Sequence, residues 1–194
     1  MEEGKAVAVD VAPRMTSRER LLQAAVGHLS EHGIGDQSLR QLATQLGTSH
    51  RMLIYHFGSR EGLLIAVAQA VEKTQRDLVF GAGAKPASAA DAREFWKRIS
   101  APKLRPQERL FFELYVHALL RRPGTEGFLD DIVESWVAPI AAAAVATGVD
   151  RRTARADARL SLAVVRGLIL DLLATGDRKG VTEAFERYLD LALG

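Results

Sequence analysis

Apolar side chains recur at spacings of three and four residues along almost the whole chain, and they alternate with polar residues almost nowhere. The first spacing is typical of helices and the second of strands, so the pattern predicts an all-α fold. The first helix is predicted to begin near Thr16, because Thr16 and Glu19 have the spacing of a capping box. Gly33 and Gly35 are predicted to end this helix, and residues 1–14 before it are predicted to be a flexible arm.

Two short helices are predicted next, separated by a turn. Ser38 and Gln41 form a second capping-box pattern, and Gly47 is placed to stop that helix after about two turns. Ser49 can cap a third short helix, and Ser59 can cap a longer fourth one. Two short helices around a glycine-containing turn are the arrangement of a helix-turn-helix, whose second helix reads base edges in the major groove.

A loop and several longer helices are predicted for the rest of the chain. The segment Gly81–Ala90 is rich in glycine and alanine and contains one proline, which is typical of a loop. Broad apolar faces predict helices over Leu110–Leu120, Phe128–Val145 with a kink at Pro139, Arg151–Ala174 and Val181–Leu193.

The distribution of charge is more informative than its sum. With 47% hydrophobic and 26% charged residues, the 194-residue chain has the composition of a folded globular protein. Its net charge of +2 hardly argues for nucleic acid. However, the segment from Gln37 to Arg60 contains no carboxylate, while it includes Arg40 and Arg51. Such a local excess of positive charge favours binding to phosphates.

Several other chemistries are not expected. The chain has no cysteine, which excludes disulfides and thiolate metal sites. His28 and His32 lie four residues apart, but no third ligand joins them at a telling spacing, so neither a metal nor a cofactor is expected. We find no nucleophile–base pair or paired carboxylates, and therefore predict that the chain is not an enzyme. The absence of a signal peptide and of a membrane-length apolar run indicates a cytoplasmic protein with no membrane span.

The segment LATQLGTSHRMLIYHFGSREGLL, from Leu42 to Leu64, resembles the DNA-binding domain of the TetR family of transcriptional regulators. The pattern of that family runs LAxxLGxSxxxLYxHFxSKExLL, and the spacing to the first helix also fits. Two positions depart from it: Ile54 replaces the usual aromatic residue, and Arg51 replaces a usually small one. Both departures are expected to alter the DNA sequence that is read.

The resemblance implies roles for individual side chains in binding a double-stranded operator. It implies that Arg40 reaches a base or phosphate, that three side chains of the reading helix face the groove, and that His56 and Arg60 contact phosphates. Serines at helix N-termini can also hold phosphate oxygens. The predicted DNA-binding residues are Ser38, Arg40, Thr48, Ser49, His50, Arg51, Tyr55, His56 and Arg60.

The resemblance also implies a C-terminal helical domain that binds a small-molecule effector and forms a homodimer. The boundaries are predicted as an arm over 1–14, a three-helix DNA-binding domain over 15–74 and a ligand-binding and dimerisation domain over 75–194. Polar-tipped and aromatic side chains predict the ligand pocket, although aromatic residues at helical spacing more often belong to a plain core. The predicted pocket residues are Trp96, Phe111, Tyr115, His117, Trp136 and Arg166. The predicted dimer-interface residues are Leu160, Val164, Leu168, Leu172, Phe185, Tyr188 and Leu189.

These features lead to the hypothesis of a sequence-specific repressor that a small molecule releases from its operator. Two alternatives are a small all-α enzyme and a DNA-binding protein without sequence preference. The first lacks a recognisable catalytic set, and the second would normally be more basic than a net charge of +2.

Overall fold

The computed structural model describes residues 15–80, 88–123, 125 and 127–193, and within these ranges the chain is helical, with no strand. This confirms the predicted all-α fold. The helices are α1 Ser17–His32, α2 Leu39–Gln45, α3 His50–Phe57, α4 Arg60–Phe80, α5 Ala89–Ile99, α6 Arg105–Leu119, α7 Glu134–Ala146, α8 Arg151–Thr175 and α9 Arg178–Leu193, with a 3-10 turn over Pro102–Leu104. The predicted arm over 1–14 lies outside the described residues.

The first three helices begin at the residues that the capping patterns indicate. Thr16 and Ser38 form complete capping boxes with Glu19 and Gln41. The Ser49 hydroxyl accepts a hydrogen bond from the backbone N–H of Met52 and so caps α3. Each of these contacts joins residues only three apart, which is why the sequence pattern predicts them correctly.

The N-terminal helices and the C-terminal half share a hydrophobic core. Leu29 of α1, Leu53 of α3 and Leu63 of α4 are at most 1% exposed and belong to the same buried cluster as Leu110 and Leu114 of α6. In addition, α4 runs without interruption through the predicted boundary after residue 74. Packing of α6 against α1 therefore connects the two halves directly.

Two further clusters organise the C-terminal half. In one, α5 packs on α8 and α9, with the ring of Trp96 stacked on that of Phe185 at 4.7 Å between centroids. In the other, α7 packs on α8 around Trp136 and Val137. An ion pair between Glu134 and Arg155, at 2.8 Å, joins α7 to α8 across the exposed surface. Within the described parts of the chain, no helix is long and apolar enough to span a membrane.

Three points of the predicted arrangement of loops and helices need correction. The loop predicted over Gly81–Ala90 ends earlier, since Ser88 caps α5 and Ala89 is already helical, while residues 81–87 lie outside the description. The sequence analysis did not predict α5, whose large apolar side chains are Phe95, Trp96 and Ile99. The helix predicted from Phe128 begins only at Glu134. Phe128 and Ile132 have helical spacing but reach the core from successive turns.

Candidate functional site

The segment from α2 to α3 has the geometry of a helix-turn-helix. Gly47 lies between the two helices with a φ of +63°, a conformation that glycine adopts without strain. The next residue, Thr48, closes the turn with a hydrogen bond of 2.9 Å from its backbone N–H to the carbonyl of Ala43. Leu53 is fully buried and anchors α3 to the core. The opposite face of α3 is consequently directed to solvent.

That outward face carries the side chains predicted to read DNA. His50 and Arg51 are exposed, and Tyr55 is 77% exposed. Met52 and Ile54 are also exposed, at 38% and 41%. Arginine and histidine can hydrogen-bond to base edges, and apolar groups can contact a thymine methyl, so this face offers both means of direct readout.

The residues predicted to hold phosphates occupy different environments. Ser38, Arg40 and Ser49 are exposed at the N-terminal ends of α2 and α3, whereas Thr48 is half-buried in the turn. The hydroxyls of Ser38 and Ser49 already accept bonds from the backbone N–H groups of their own helices. The Ser38 hydroxyl also donates to Oε1 of Gln41 at 2.8 Å, so of these two hydroxyls it is that of Ser49 that can donate to an external oxygen.

The side chain of His56, for which a phosphate contact was predicted, is half-buried. Its Nε2 is buried and has no hydrogen-bond partner among the described residues. The ring lies edge-on to Tyr55 at 4.9 Å and to Phe57 at 6.2 Å between centroids. Arg18, which the sequence analysis did not select, stacks its guanidinium 5.2 Å from the centre of the Phe57 ring and donates a long bond of 3.4 Å to the His56 carbonyl. Arg18 therefore adds positive charge at the C-terminal end of α3.

Arg60 forms hydrogen bonds within the protein itself. Its Nε donates to the carbonyl of Gln37 at 2.7 Å, and its Nη2 donates to the carbonyl of Gly35 at 2.8 Å. These bonds tie the start of α4 to the turn between α1 and α2. The predicted phosphate contact of Arg60 stays a prediction, and the two bonds use two of the five N–H groups of its guanidinium.

Two substitutions test the structural role of Arg60. Both Arg60→Lys and Arg60→Ala are expected to lower the free energy of unfolding without DNA by about 1–3 kcal/mol, because lysine cannot reach two divergent carbonyls as a guanidinium does. Urea unfolding at one protein concentration measures this, with Arg40→Ala on exposed α2 as a control expected to stay within about 0.5 kcal/mol. A lysine variant as stable as the unmodified protein would contradict the structural role.

A small cavity lies between α4, α5, α6, α7 and α8. Its volume is about 30 Å³, which is room for one or two water molecules. Three of the predicted pocket residues, Phe111, Trp136 and Arg166, line it. The other lining residues are Gln75, Phe95, Ile99, Glu108, Phe112, Leu162, Val165 and Ile169.

The remaining predicted pocket residues do not border this cavity. Trp96 belongs to the cluster of α5, α8 and α9, where its Nε1 donates to Thr182 at 3.1 Å. Tyr115 lies beneath the guanidinium of Arg166, 5.5 Å from the centre of its ring. His117, further along α6, is half-buried and outside the lining.

Two charged side chains face the cavity. Glu108 is 4% exposed and accepts a hydrogen bond of 2.9 Å from the amide of Gln75. Burial raises the pKa of Glu108 to about 7, while the Gln75 bond acts in the opposite direction. Burial lowers the pKa of Arg166, whose guanidinium also donates to the carbonyl of Ile132 at 3.0 Å. The sequence analysis missed Glu108, although it lies three residues before Phe111 and so on the same helical face.

The residues predicted to form a dimer interface divide into two groups. Leu172, Phe185 and Leu189 are at most 5% exposed within one chain, since they pack with Trp96 in the protomer core, and they therefore have little surface to offer a partner. Leu160 is 56% exposed. Val164, Leu168 and Tyr188 are half-buried.

The histidine pair of α1 makes contacts within the helix. The rings of His28 and His32 stack at 4.4 Å between centroids, and Nδ1 of His32 bonds the carbonyl of His28. Across the ranges that the structure describes, no three histidine, cysteine or carboxylate side chains are grouped to hold a metal ion.

The fold and the exposed α3 face define a helix-turn-helix followed by a helical C-terminal half. Residues 21–67 match the family model described as bacterial regulatory proteins, tetR family. The chain is 41% identical over 49 residues to the HTH-type transcriptional regulatory protein RaaS of Mycobacterium tuberculosis. That match covers 25% of this chain and 23% of the relative, and so concerns only part of each protein.

Solved structures extend the similarity to the fold of almost the whole chain. A TetR-family transcriptional regulator from Rhodococcus sp. superposes with a TM-score of 0.72 at 23% identity, over 91% of this chain and 98% of that one. A transcriptional regulator from Saccharomonospora viridis, solved in complex with choline, gives a TM-score of 0.67 at 23% identity, over 90% and 95% of the two chains. The sequence similarity to the tetR family therefore covers residues 21–67, which include the helix-turn-helix, and the similarity over the rest of the chain is one of fold.

Proposed function

We propose that this chain is a dimeric, ligand-responsive repressor that reads its operator with α3 and leaves it when a small molecule binds the C-terminal half. The observation that carries the proposal is the outward face of α3, where His50, Arg51 and Tyr55 are exposed in a segment without carboxylates. Phosphates would be attracted to this segment, and the three side chains would reach base edges.

The proposed dimer pairs α8 and α9 with those of a second copy. Leu160, Leu170 and Leu191 are 56%, 48% and 69% exposed, which is apolar surface that a partner would bury. A twofold dimer presents two reading helices about 34–36 Å apart, the spacing of one duplex turn, and therefore prefers a palindromic site.

Helix α6 offers a route by which a ligand would alter DNA binding. Glu108 and Phe111 line the cavity, while Glu113 on the same helix accepts a hydrogen bond of 3.0 Å from the backbone N–H of Ile34, just after α1. Pockets that hold drug-sized ligands have volumes of about 300–1,000 Å³, far more than the volume of this cavity. A ligand would therefore bind a conformation in which the surrounding helices have moved, and α6 would transmit that movement to α1. The related fold from S. viridis, solved with choline, supports the idea that this architecture can hold a small organic molecule.

Selection of bound duplexes from a random pool tests DNA recognition. We expect the purified protein to enrich a palindromic site, and Arg51→Ala or Tyr55→Ala to weaken binding to that site by about 10–100-fold, the usual effect of losing a base contact. The matched control is Arg98→Ala, an equal loss of charge on exposed α5, at the same salt concentration. Equal affinity for all duplexes, or an equal loss with Arg98→Ala, would reject sequence-specific reading by α3.

A further inference from the structure

Glu108 is a buried carboxyl group without a cationic partner. It is 4% exposed, and its hydrogen bond comes from the neutral amide of Gln75 at 2.9 Å. None of the ion pairs between described residues involves Glu108. Buried carboxylates are normally paired with a cation, because the desolvation of an unpaired charge is costly. Glu108 is therefore prepared to accept a positive charge that the chain does not itself supply.

Aromatic rings surround the space next to this carboxyl group. Phe95 of α5, Phe111 and Phe112 of α6, and Trp136 of α7 line the same cavity as Glu108. The faces of aromatic rings carry partial negative charge and attract cations, most strongly where water is excluded. Glu108 also borders a second, smaller cavity between α1, α4 and α6, where no other lining residue is charged.

Arg166, the cationic side chain that lines the cavity, already has interaction partners of its own. Arg166 of α8 lies 5.6 Å from the ring centre of Phe111, donates to the carbonyl of Ile132 and is attracted by Glu72 of α4. Glu72 itself is paired with Arg76 at 2.7 Å. The charge of Arg166 is thus balanced by rings, a carbonyl and Glu72, whereas Glu108 has only an amide.

Along α6 itself, the nearest charged side chains are also not bound to Glu108. Arg105, one turn earlier, has a buried Nε with no hydrogen-bond partner among the described residues, and Arg109 points to solvent. The cavity-lining residues of α5 and α7 are not titratable.

We propose that the effector of this protein is an organic cation, such as an ammonium group on an apolar body, whose charge is bound by Glu108 within the aromatic wall of Phe95, Phe111 and Trp136. The inference rests on the proposed ligand-responsive function and adds the chemical class of the ligand. The cavity must widen to admit such a molecule, because its volume is about 30 Å³.

Protonation of Glu108 gives this binding mode a distinctive pH dependence. Burial raises the pKa of Glu108 to about 7, so about half of the ligand-free protein holds a proton there at neutral pH. A cation binds the carboxylate form, and the proton on the Glu108 carboxyl leaves to buffer. Affinity is therefore expected to rise about tenfold between pH 6 and pH 8 and to level off above that range.

Isothermal titration calorimetry with fixed-charge probes tests the inference. Suitable probes are tetramethylammonium, benzyltrimethylammonium and tetraphenylphosphonium, together with neopentylbenzene, the neutral isostere of the second. None of these probes titrates, so any proton released must come from the protein. Measurements at pH 6.5 in phosphate and in ACES, two buffers that titrate near this pH with different ionisation enthalpies, give the number of protons released. We expect release of more than half a proton per cation bound, and at least tenfold weaker binding of neopentylbenzene.

The isosteric variant Glu108→Gln is expected to bind the same cations at least tenfold more weakly at pH 8, with no proton release and no pH dependence. Glu94→Gln, an exposed carboxylate of α5, is the matched control and is expected to behave like the unmodified protein. Proton release by the unmodified protein tests the inference even if the Glu108 variant folds poorly. Binding of no cationic probe, equal binding of the neutral isostere, or unchanged proton release in Glu108→Gln would overturn it.

Operator affinity, measured separately, distinguishes this inference from the function on which it rests. Cation binding with Glu108-dependent proton release but no change in operator affinity would support the cation site and contradict the proposed ligand response. Release from the operator by neutral molecules, with no binding of the cationic probes, would support the ligand response and overturn the cation site.

Discussion

Replacing Gly62 by alanine is expected to lower the free energy of unfolding by about 1–3 kcal/mol and to weaken operator binding by at least tenfold. A Cβ atom at Gly62, in the first turn of α4, would overlap the carbonyl oxygen of Phe57, the last residue of α3. That carbonyl also accepts the backbone N–H of Ser59 at 2.9 Å. The junction could accept the methyl group only if α3 moved relative to α4, which would misplace the reading face. Urea unfolding and a fluorescence titration with labelled operator measure the two effects.

Gly27 provides a control for which the expected change in the free energy of unfolding has the opposite sign. A Cβ atom at Gly27, inside α1, would have no atom within 4 Å. Gly27→Ala is therefore expected to raise the free energy of unfolding by about 0.5–1 kcal/mol, since alanine has the higher helix propensity, and to leave operator affinity unchanged. Equal effects of the two substitutions would show that the close contact at Gly62 has no energetic importance.

Glu108→Gln is expected to stabilise the protein at high pH by up to about 3 kcal/mol and to have little effect near pH 4.5. The pKa of Glu108 is raised from an ordinary value of 4.5 to about 7 in the folded protein. The folded state therefore holds a proton that the unfolded state releases, so stability is lost as pH rises from about 4.5 to 7. Glutamine remains neutral over this range and can keep an amide contact with Gln75.

Chemical denaturation at pH 4.5, 6, 7 and 8, at a single protein concentration, measures this effect, because the stability of a dimer depends on concentration. The difference between Glu108→Gln and the unmodified protein should grow with pH and level off above pH 7. Glu94→Gln makes the same replacement of a carboxyl group by an amide on the exposed surface of α5. Its difference from the unmodified protein should stay small across the series. A constant or shrinking difference for Glu108→Gln would mean that its carboxyl group titrates in an ordinary range when folded.

The helix-turn-helix region was largely predictable because its signals are local. The capping boxes of Thr16 and Ser38, the glycine turn at Gly47 and the outward position of Tyr55 each depend on residues within one or two helical turns of each other. The family pattern adds specificity to the same short segment. Sequence alone therefore determined the all-α class, the helix-turn-helix and the face of α3 that is directed to solvent.

Tertiary structure decided what depends on contacts between distant segments. The bonds of Arg60 to the turn before α2, the inclusion of α6 in the core beneath α1, and the burial of Leu172 and Phe185 within one protomer join parts of the chain far apart in sequence. The isolated position of Glu108 among aromatic rings from three helices is of the same kind. Helical periodicity shows which side chains share a face, but only packing determines whether that face meets water, another helix of the same chain or a ligand.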